Sequence, residues 1–379
     1  MFLVSCNQAP GAHRTTPTLA STLAPLRACP ATSARAAPQV LLKNLKGPDD
    51  LGFDDAGRLL FTQNTAGTLS ALNPDGSVER IAAGLSGPEG VVVEADGRIL
   101  VAEQGRNRID AVDPRSHGIS VWRSFPNHTA SEGIDGIGPV LPDRDSTGQP
   151  LPDGGDVVIP DSPNGVVWKV TPDGSTATQI ASGMTRPVGA GIDSHRRILV
   201  VDEAGPVWRL DQGKQRLGSL PTPDDVVVAA RDQIFVNTLG DNAIHQLDAD
   251  GRQVATISGL RQPQGIALDT AGNLYLTEFD AGTIDRVVRT FILDPARVTR
   301  LGNYTFIVCP AIRRASGFVA PLELTTGSSP TTSIVAVIQP GIDSSGAVEI
   351  QTTDPSVSIT VSADVGGRVG LSQLIPLTR

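Results

Sequence analysis

The sequence is poor in cysteine, with only Cys6, Cys29 and Cys309 among 379 residues. Three scattered thiols exclude a disulfide framework or a thiolate metal site and leave room for one bridge. Aromatic residues are also few (3 Trp, 2 Tyr and 9 Phe) beside 40 Gly and 29 Pro, a balance that favours many short strands joined by tight turns over a helical protein. No run of 18 apolar residues occurs, so no transmembrane segment is expected. Positive charge is in deficit: 31 Lys and Arg against 40 Asp and Glu give a net charge of −9. That disfavours nucleic acid and anionic lipid as partners and suits cationic ligands or metal ions.

The stretch "LVSC" ahead of Asn7 has the form of the end of a bacterial lipoprotein signal, with Cys6 as the residue that would carry lipid. The charged and apolar parts of such a signal are missing from the residues before it. Either the signal begins further upstream or the match is fortuitous. The expectation is export to the cell surface, periplasm or exterior, with Cys6 as a candidate lipid anchor. Residues 7–38 are rich in Ala, Thr and Pro without apolar periodicity, so 1–38 read as a signal remnant and flexible tether.

What the chain does have is a repeat. "GPDDLGFDDAGRLLFTQ" from residue 47 returns as "GPEGVVVEADGRILVAE" from 87, "RPVGAGIDSHRRILVVD" from 186, "TPDDVVVAARDQIFVNT" from 222 and "QPQGIALDTAGNLYLTE" from 262. The motif proline and a closing polar residue are always 15 positions apart: Pro48 to Gln63, Pro88 to Glu103, Pro187 to Asp202, Pro223 to Thr238 and Pro263 to Glu278. Each unit holds two apolar runs around a polar turn, then a third and a fourth run, which is the signature of a four-stranded β-propeller blade. The span between Pro88 and Pro187 must hold two blades, the extra one containing "GGDVVIPDSPNGVVWKVTPDG" with Asp161 at the closing position and an insertion over 127–155. The last unit lacks its fourth run, and "QVLLKNLKGPDD" from residue 39 has the form needed to supply it. The expectation is therefore an all-β chain: a six-bladed β-propeller over 39–288, closed by its N-terminal strand so that no sheet edge is left open.

In such a blade the start of strand one and the end of strand two lie on the same face. Pro-x-Gly is then expected to fix a turn at the channel mouth, with x pointing in: Asp49, Glu89, Val188, Asp224 and Gln264, with Asp135 in the inserted blade. The closing residues Gln63, Glu103, Asp161, Asp202, Thr238 and Glu278 are expected beside them as a second ring. Converging carboxylates repel unless some protonate or a cation intervenes. A hard divalent ion, calcium first and zinc or manganese next, is one solution, with Glu89, Asp224, Asp49 and Gln264 as ligands. The alternative is that acidic residues follow turn preferences and face solvent.

The units "PEGVVVEADGRILVAEQGRNRIDAVDP" and "PQGIALDTAGNLYLTEFDAGTIDRV" resemble NHL repeats, and equally blades of the gluconolactonase and senescence-marker-protein family and of the virginiamycin B lyase family. The gluconolactonase resemblance implies a metal held by a Glu, an Asn and an Asp at the channel mouth, polarising a lactone carbonyl and activating water. Glu89 and Asp224 are the matching carboxylates and candidate catalytic residues, with Asp49 a third. The sequence departs from that pattern at Asp225, which replaces a glycine, and in lacking the family's Glu-Gly-Pro-x-Trp opening. The lyase resemblance implies a catalytic histidine with no match here; His245 reads as structural.

Other motifs carry less. "GIDGIG" at 133 has a dinucleotide-loop spacing without the strand and helix that would make it one. "DRDSTGQPLPDGGD" at 143 places Asp143, Asp145 and Gly148 as a calcium loop would, with Gly154 where its glutamate belongs. The 127–155 insertion reads as a lid or partner loop. From residue 289, β-branched runs at regular spacing predict a small β-sandwich-like accessory domain over 289–379. These features together imply a monomeric, exported propeller that binds a small-molecule or protein ligand at its channel mouth. The alternative is a metal-dependent lactonase or ester hydrolase acting there.

Overall fold

The computed structural model describes residues 38–377 apart from 127–132, 146, 230–231, 271, 288–290, 315–321, 329–330, 339–347, 353–354 and 365–367. Cys6, Cys29, the expected tether through residue 37 and the start of the insertion lie outside the described residues.

Each repeat folds as an antiparallel sheet because its apolar runs are broken by turns its own side chains close. In the first unit Asp54 Oδ1 accepts the backbone N–H groups of Ala56 (3.0 Å) and Arg58 (2.8 Å), and Gly57 supplies the positive φ of 75°. The first blade comprises Pro48–Phe53, Leu59–Gln63, Thr68–Leu72 and Val78–Ala83; the second Pro88–Val93, Ile99–Glu103, Arg108–Val112 and Ile119–Ser124. The third has three strands, Val157–Asp161, Val166–Val170 and Ala177–Ala181. The fourth begins at Pro187–Ile192, the fifth at Pro223–Ala229 and the sixth at Pro263–Leu268. In the third blade the insertion supplies the inner position as an irregular segment: Gly138 N–H donates to the Val158 carbonyl (2.8 Å) and Val158 N–H to that of Pro139 (3.2 Å). The N-terminal strand Gln39–Leu42 pairs with Thr283–Val287 as the outer strand of blade six, Val40 opposite Asp285.

The core shows that the ring is closed. Six hydrophobic clusters each lie between two consecutive blades, not within one. Leu60 and Leu69 of blade one meet Val91 and Val101 of blade two; Leu100 and Ala102 meet Val157 and Ile159; Val158 and Val167 meet Ala190 and Val200. The series continues through Leu199 with Val226 and Phe235 with Ile266, and returns to the start at Ala267 and Ile284 with Leu51 and Phe61. Each sheet buries both faces against its neighbours, which is why both apolar runs of a unit are nearly continuous instead of alternating. The first-strand apolar residues Leu51, Val91, Val226 and Ile266 pack between blades.

Beyond the propeller the described residues form two more sheets. One contains Phe291–Arg300, Thr305–Arg314 and Val348–Gln351, the other Thr331–Ile338, Leu322–Ser328, Ser356–Asp364 and Arg368–Pro376. Phe306 and Val308 from the first and Leu324, Ile359 and Val361 from the second share one cluster. Among the described residues no helix is long and apolar enough to cross a membrane.

Candidate functional site

The pairing of the first two strands skips a residue at the channel mouth. Pro48 pairs with Gln63, but the next pair is Leu51 with Phe61, so Asp49 and Asp50 together face Thr62. The same interruption occurs between Pro88 and Val91, Pro223 and Val226, and Pro263 and Ile266. Such a bulge re-aims side chains that strict alternation would send apart. The left-handed backbone lies one residue before the proline, at Gly47, Gly87, Thr222 and Gln262 with φ of 49–59°, so the expected Pro-x-Gly turn does not form and proline opens the strand. The glycine has a different cause. A Cβ on Gly90 would lie 2.3 Å from the Ile137 nitrogen, and one on Gly265 2.5 Å from the Asp50 Cα. Neighbouring blades approach too closely there for any side chain.

Each bulge frees a backbone N–H that must be paired. Asp50 N–H donates to Thr62 Oγ1 (2.9 Å), Asp225 N–H to Asn237 Oδ1 (2.7 Å) and Gly265 N–H to Thr277 Oγ1 (2.9 Å). In blade two the equivalent residue is Ala102, and Gly90 N–H turns to the Asp135 carbonyl at 3.1 Å. The same three side chains reach on to the next blade: Thr62 Oγ1 donates to the Glu89 carbonyl (2.8 Å), Asn237 Nδ2 to that of Gln264 (2.7 Å) and Thr277 Oγ1 to that of Asp49 (2.5 Å). These links fix the arc that runs from blade five through six and one to two. Thr62, Asn237 and Thr277 carry no chemical motif; the one signal in the sequence is a polar residue just before the closing position.

All six inward positions line one cavity on the axis: Asp49, Glu89, Asp135, Val188, Asp224 and Gln264. The bulges add Asp50 and Asp225, so that among the described residues the lining has six carboxyl groups and no basic side chain. The cavity holds about 250 Å³ of empty space, its open mouth included. Asp50 and Asp225 are anchored. Asp50 accepts from Leu51 N–H (2.7 Å) and Val91 N–H (2.9 Å), and Asp225 from Val226 N–H (2.7 Å) and Ile266 N–H (3.1 Å). Asp135 Oδ2 meets Arg186 Nη2 at 2.5 Å and Gln104 Nε2 at 3.4 Å. Glu89 Oε1 accepts from Asn64 Nδ2 (3.0 Å), whereas its Oε2 is buried with no hydrogen-bond partner.

The crowding shows in the acidities. Burial first, then repulsion from Asp135 and Asp225, holds Asp49 well above the usual carboxylate range. Burial and the charges of Asp135 and Asp49 do the same for Glu89, and burial, Asp135 and Asp49 for Asp224. Asp225 rises only to about 6, because the N–H groups of Ile266 and Val226 oppose its burial. Protons relieve such a cluster in acid, and a cation would relieve it at neutral pH. Among the described residues no three His, Cys, Asp or Glu side chains are gathered tightly enough to grip one ion. The donor chemistry nonetheless fits a hard cation: carboxylate oxygens of Asp49, Glu89 and Asp224 with the Gln264 amide, one of the oxygens unpartnered.

The expected second ring does not line this cavity. Strand alternation turns the closing residues away from the axis, where Gln63, Glu103, Asp202 and Glu278 peg the loop that enters their blades and Asp161 and Thr238 bond residues that follow them. Glu103 Oε1 accepts Ser86 N–H (2.7 Å), Asp202 the N–H groups of Thr185 (2.8 Å) and Arg186 (3.0 Å), and Glu278 that of Arg261 (2.5 Å). Gln63 takes Lys46 N–H (2.9 Å), Asp161 accepts from Trp168 Nε1 (2.8 Å), and Thr238 Oγ1 donates to Asp241 (2.5 Å). The calcium-like stretch is likewise spent: Asp145 Oδ1 accepts the N–H groups of Thr147 and Gln149 in its own turn, Asp153 pairs with Lys169 and Arg196, and Gly154 abuts the Asp143 Cα. His245 is buried, its ring between Asp241 and Gln253 at 3.1 Å each.

No protein-family model matches the sequence, and no curated protein does. Solved structures match its fold. A gluconolactonase of Xanthomonas campestris superposes with a TM-score of 0.54 at 16% identity, over 68% of this chain and 97% of that one. The calcium-binding protein regucalcin of Agrobacterium tumefaciens gives 0.55 at 14% identity, over 66% and 93%. Virginiamycin B lyase of Staphylococcus aureus gives 0.51 at 17% identity, over 66% and 98%. This chain therefore has the six-bladed propeller fold that those proteins share, and at such identities the likeness extends to the fold alone.

Proposed function

We propose that the protein is an exported ligand-binding propeller whose axial cavity takes a divalent cation, calcium foremost, and through it a small oxygen-rich ligand or a protein side chain. The observation that carries this reading is a lining with six carboxyl groups, of which, among the described residues, only Asp135 is paired with a basic side chain, Arg186. Asp49, Glu89 and Asp224, which do not converge on one point in this structure, would have to draw together to hold the ion, with Gln264 adding a neutral oxygen. Among the described residues no aromatic ring lines the cavity to form the cage that organic ammonium ions favour. Its enclosed space is far smaller than that of drug-sized sites and is on the scale of a single ion. The disulfide at Cys309 supports export, since such bonds persist in oxidising compartments. The core shared by the two C-terminal sheets supports reading 289–379 as a sandwich-like accessory domain.

A second reading, a metal-dependent hydrolase of lactones or esters, is favoured by Glu89, whose unpartnered Oε2 and raised pKa suit a proton acceptor at the cavity, and by the fold shared with a gluconolactonase. A bound ion would there polarise a carbonyl and acidify water; Glu89 and Asp224 would hold it and take the proton.

Calorimetric titration with calcium, manganese and zinc tests the first reading. Saturable binding by the wild type, lost in Glu89→Gln with Asp224→Asn, is expected; no binding by the wild type would overturn it. Hydrolysis of a lactone or ester panel that needs the cation and vanishes in the same variant would establish the second reading, whereas binding without turnover leaves the binding module.

A further inference from the structure

Blade four breaks the pattern of the ring twice. Its inward residue is Val188, the apolar one among the six inward positions, and the residue before its motif proline is Arg186, where the other copies carry Gly47, Gly87, Thr222 and Gln262. Those four adopt a positive φ and Arg186 does not. This blade gives the cavity no side-chain oxygen, and its positive charge stands beside the lining, on Asp135.

That charge is aimed and fixed. Asp202 accepts the Arg186 N–H at 3.0 Å and holds its backbone. Glu203 Oε2, at 2.5 Å from Nε, holds the outer edge of the guanidinium, and Nη2 reaches Asp135 Oδ2 at 2.5 Å. All three side chains are half-buried, with Arg186 23% exposed, so solvent screens the pair only in part. Asp135 belongs to the irregular inner segment of blade three, and it is the carboxylate whose charge presses most on Glu89 and Asp224.

We propose that Arg186 is the built-in counter-cation of the axial site: it holds Asp135 out of the ligand set, leaves Asp49, Glu89 and Asp224 to an incoming divalent ion, and sets the affinity for that ion below what four free carboxylates would give. This rests on the cation reading of the cavity. Arg186 acts here as a positioning residue, through Asp135.

Calcium affinity measured by calorimetry on the full chain, for wild type, Arg186→Gln, Asp135→Asn, the double variant and Arg186→Lys, separates the two claims. Arg186→Gln frees Asp135 and should bind calcium at least about tenfold more tightly. Asp135→Asn leaves an uncompensated guanidinium and should bind more weakly than wild type. The double variant should return to wild-type affinity, and Arg186→Lys should stay near it. Should Arg186→Gln fail to fold, the weakening by Asp135→Asn and the retention by Arg186→Lys still test the order. Calcium binding by the wild type with equal or weaker binding by Arg186→Gln, or undiminished binding by Asp135→Asn, would overturn the role of Arg186 and leave the cation site standing. Binding by none of the proteins would overturn the site itself.

Discussion

The carboxylate of Asp50 in blade one accepts the backbone N–H of Val91 in blade two at 2.9 Å. Four blades on, Asp225 does the same for Ile266 of blade six at 3.1 Å. Both residues stand where the other motifs have glycine, and both turn a second acidic group into a staple between blades. A departure in sequence thus has a structural use: the Pro-Asp-Asp copies sit where the next blade, Pro-Glu-Gly or Pro-Gln-Gly, presents an N–H and no side chain.

The staple predicts a difference between two substitutions. Asp50→Asn and Asp50→Ala both remove the charge, but only asparagine keeps an oxygen for the Val91 N–H. An unsatisfied buried donor costs about 1–3 kcal/mol, so Asp50→Ala should unfold at lower denaturant than Asp50→Asn by that margin. Equal stabilities would show that water or another group replaces the carboxylate.

The axial cluster predicts an unusual pH profile. Asp49, Glu89, Asp224 and Asp225 all have folded-state pKa values above their unfolded ones, Asp225 at about 6. A raised acid favours the fold fully below its unfolded value, about 4, and that stability is lost as pH rises through the folded value. Thermal unfolding should therefore show a stability decline from pH 4 through 6 and beyond. The decline should flatten in Asp49→Asn with Glu89→Gln and Asp224→Asn, and 5 mM calcium, a level on the order of that needed to fill a weak extracellular site, should offset it in the wild type. An identical slope in the triple variant would remove the cluster as its source.

A second buried acid lies far from the cavity, in a strand-connecting turn. Glu94 is 3% exposed, neither oxygen makes a hydrogen bond, and Arg98 stands 3.0 Å from Oε2. Burial, against the opposing charge of Arg98, pushes it to about 7. The stability it contributes below pH 4 is lost as pH rises through 7. Glu94→Gln should thus raise stability at pH 8 by about 1–3 kcal/mol and change little at pH 4. A loss at pH 8 would mean that the Arg98 pair outweighs the burial.

The close approach of neighbouring blades predicts intolerance at the motif glycines. An alanine Cβ at Gly265 would meet the Asp49 carbonyl oxygen at 2.6 Å, and overpacking of this kind costs about 1–3 kcal/mol or more. Gly302→Ala, with its nearest neighbour at 3.9 Å, should stay within about 0.5 kcal/mol. Comparable denaturation midpoints for the two would contradict the packing account.

The blade count and the closing strand were legible because the interval from proline to polar residue is a register: Pro48 opposite Gln63, Pro88 opposite Glu103, Pro263 opposite Glu278. The inward residues followed from the same register. The bulge did not, since one extra residue leaves no mark on the spacing of a repeat, and so Asp225 was read only as a missing glycine and Asp50 was not singled out. The closing residues were placed on the wrong side for a related reason: a period of two gives the face only once the starting residue is oriented, and the bulge resets that orientation. Arg186 opens its copy of the repeat, but nothing in the sequence pairs it with Asp135, which sits 51 residues earlier in an irregular segment.

The central claim is that the acidic axis holds a cation, and anomalous diffraction from crystals soaked in manganese locates it directly. The account predicts one strong peak within reach of Asp49, Glu89 and Asp224, absent in Glu89→Gln with Asp224→Asn. An empty axis, or manganese found only at surface carboxylates, would contradict it.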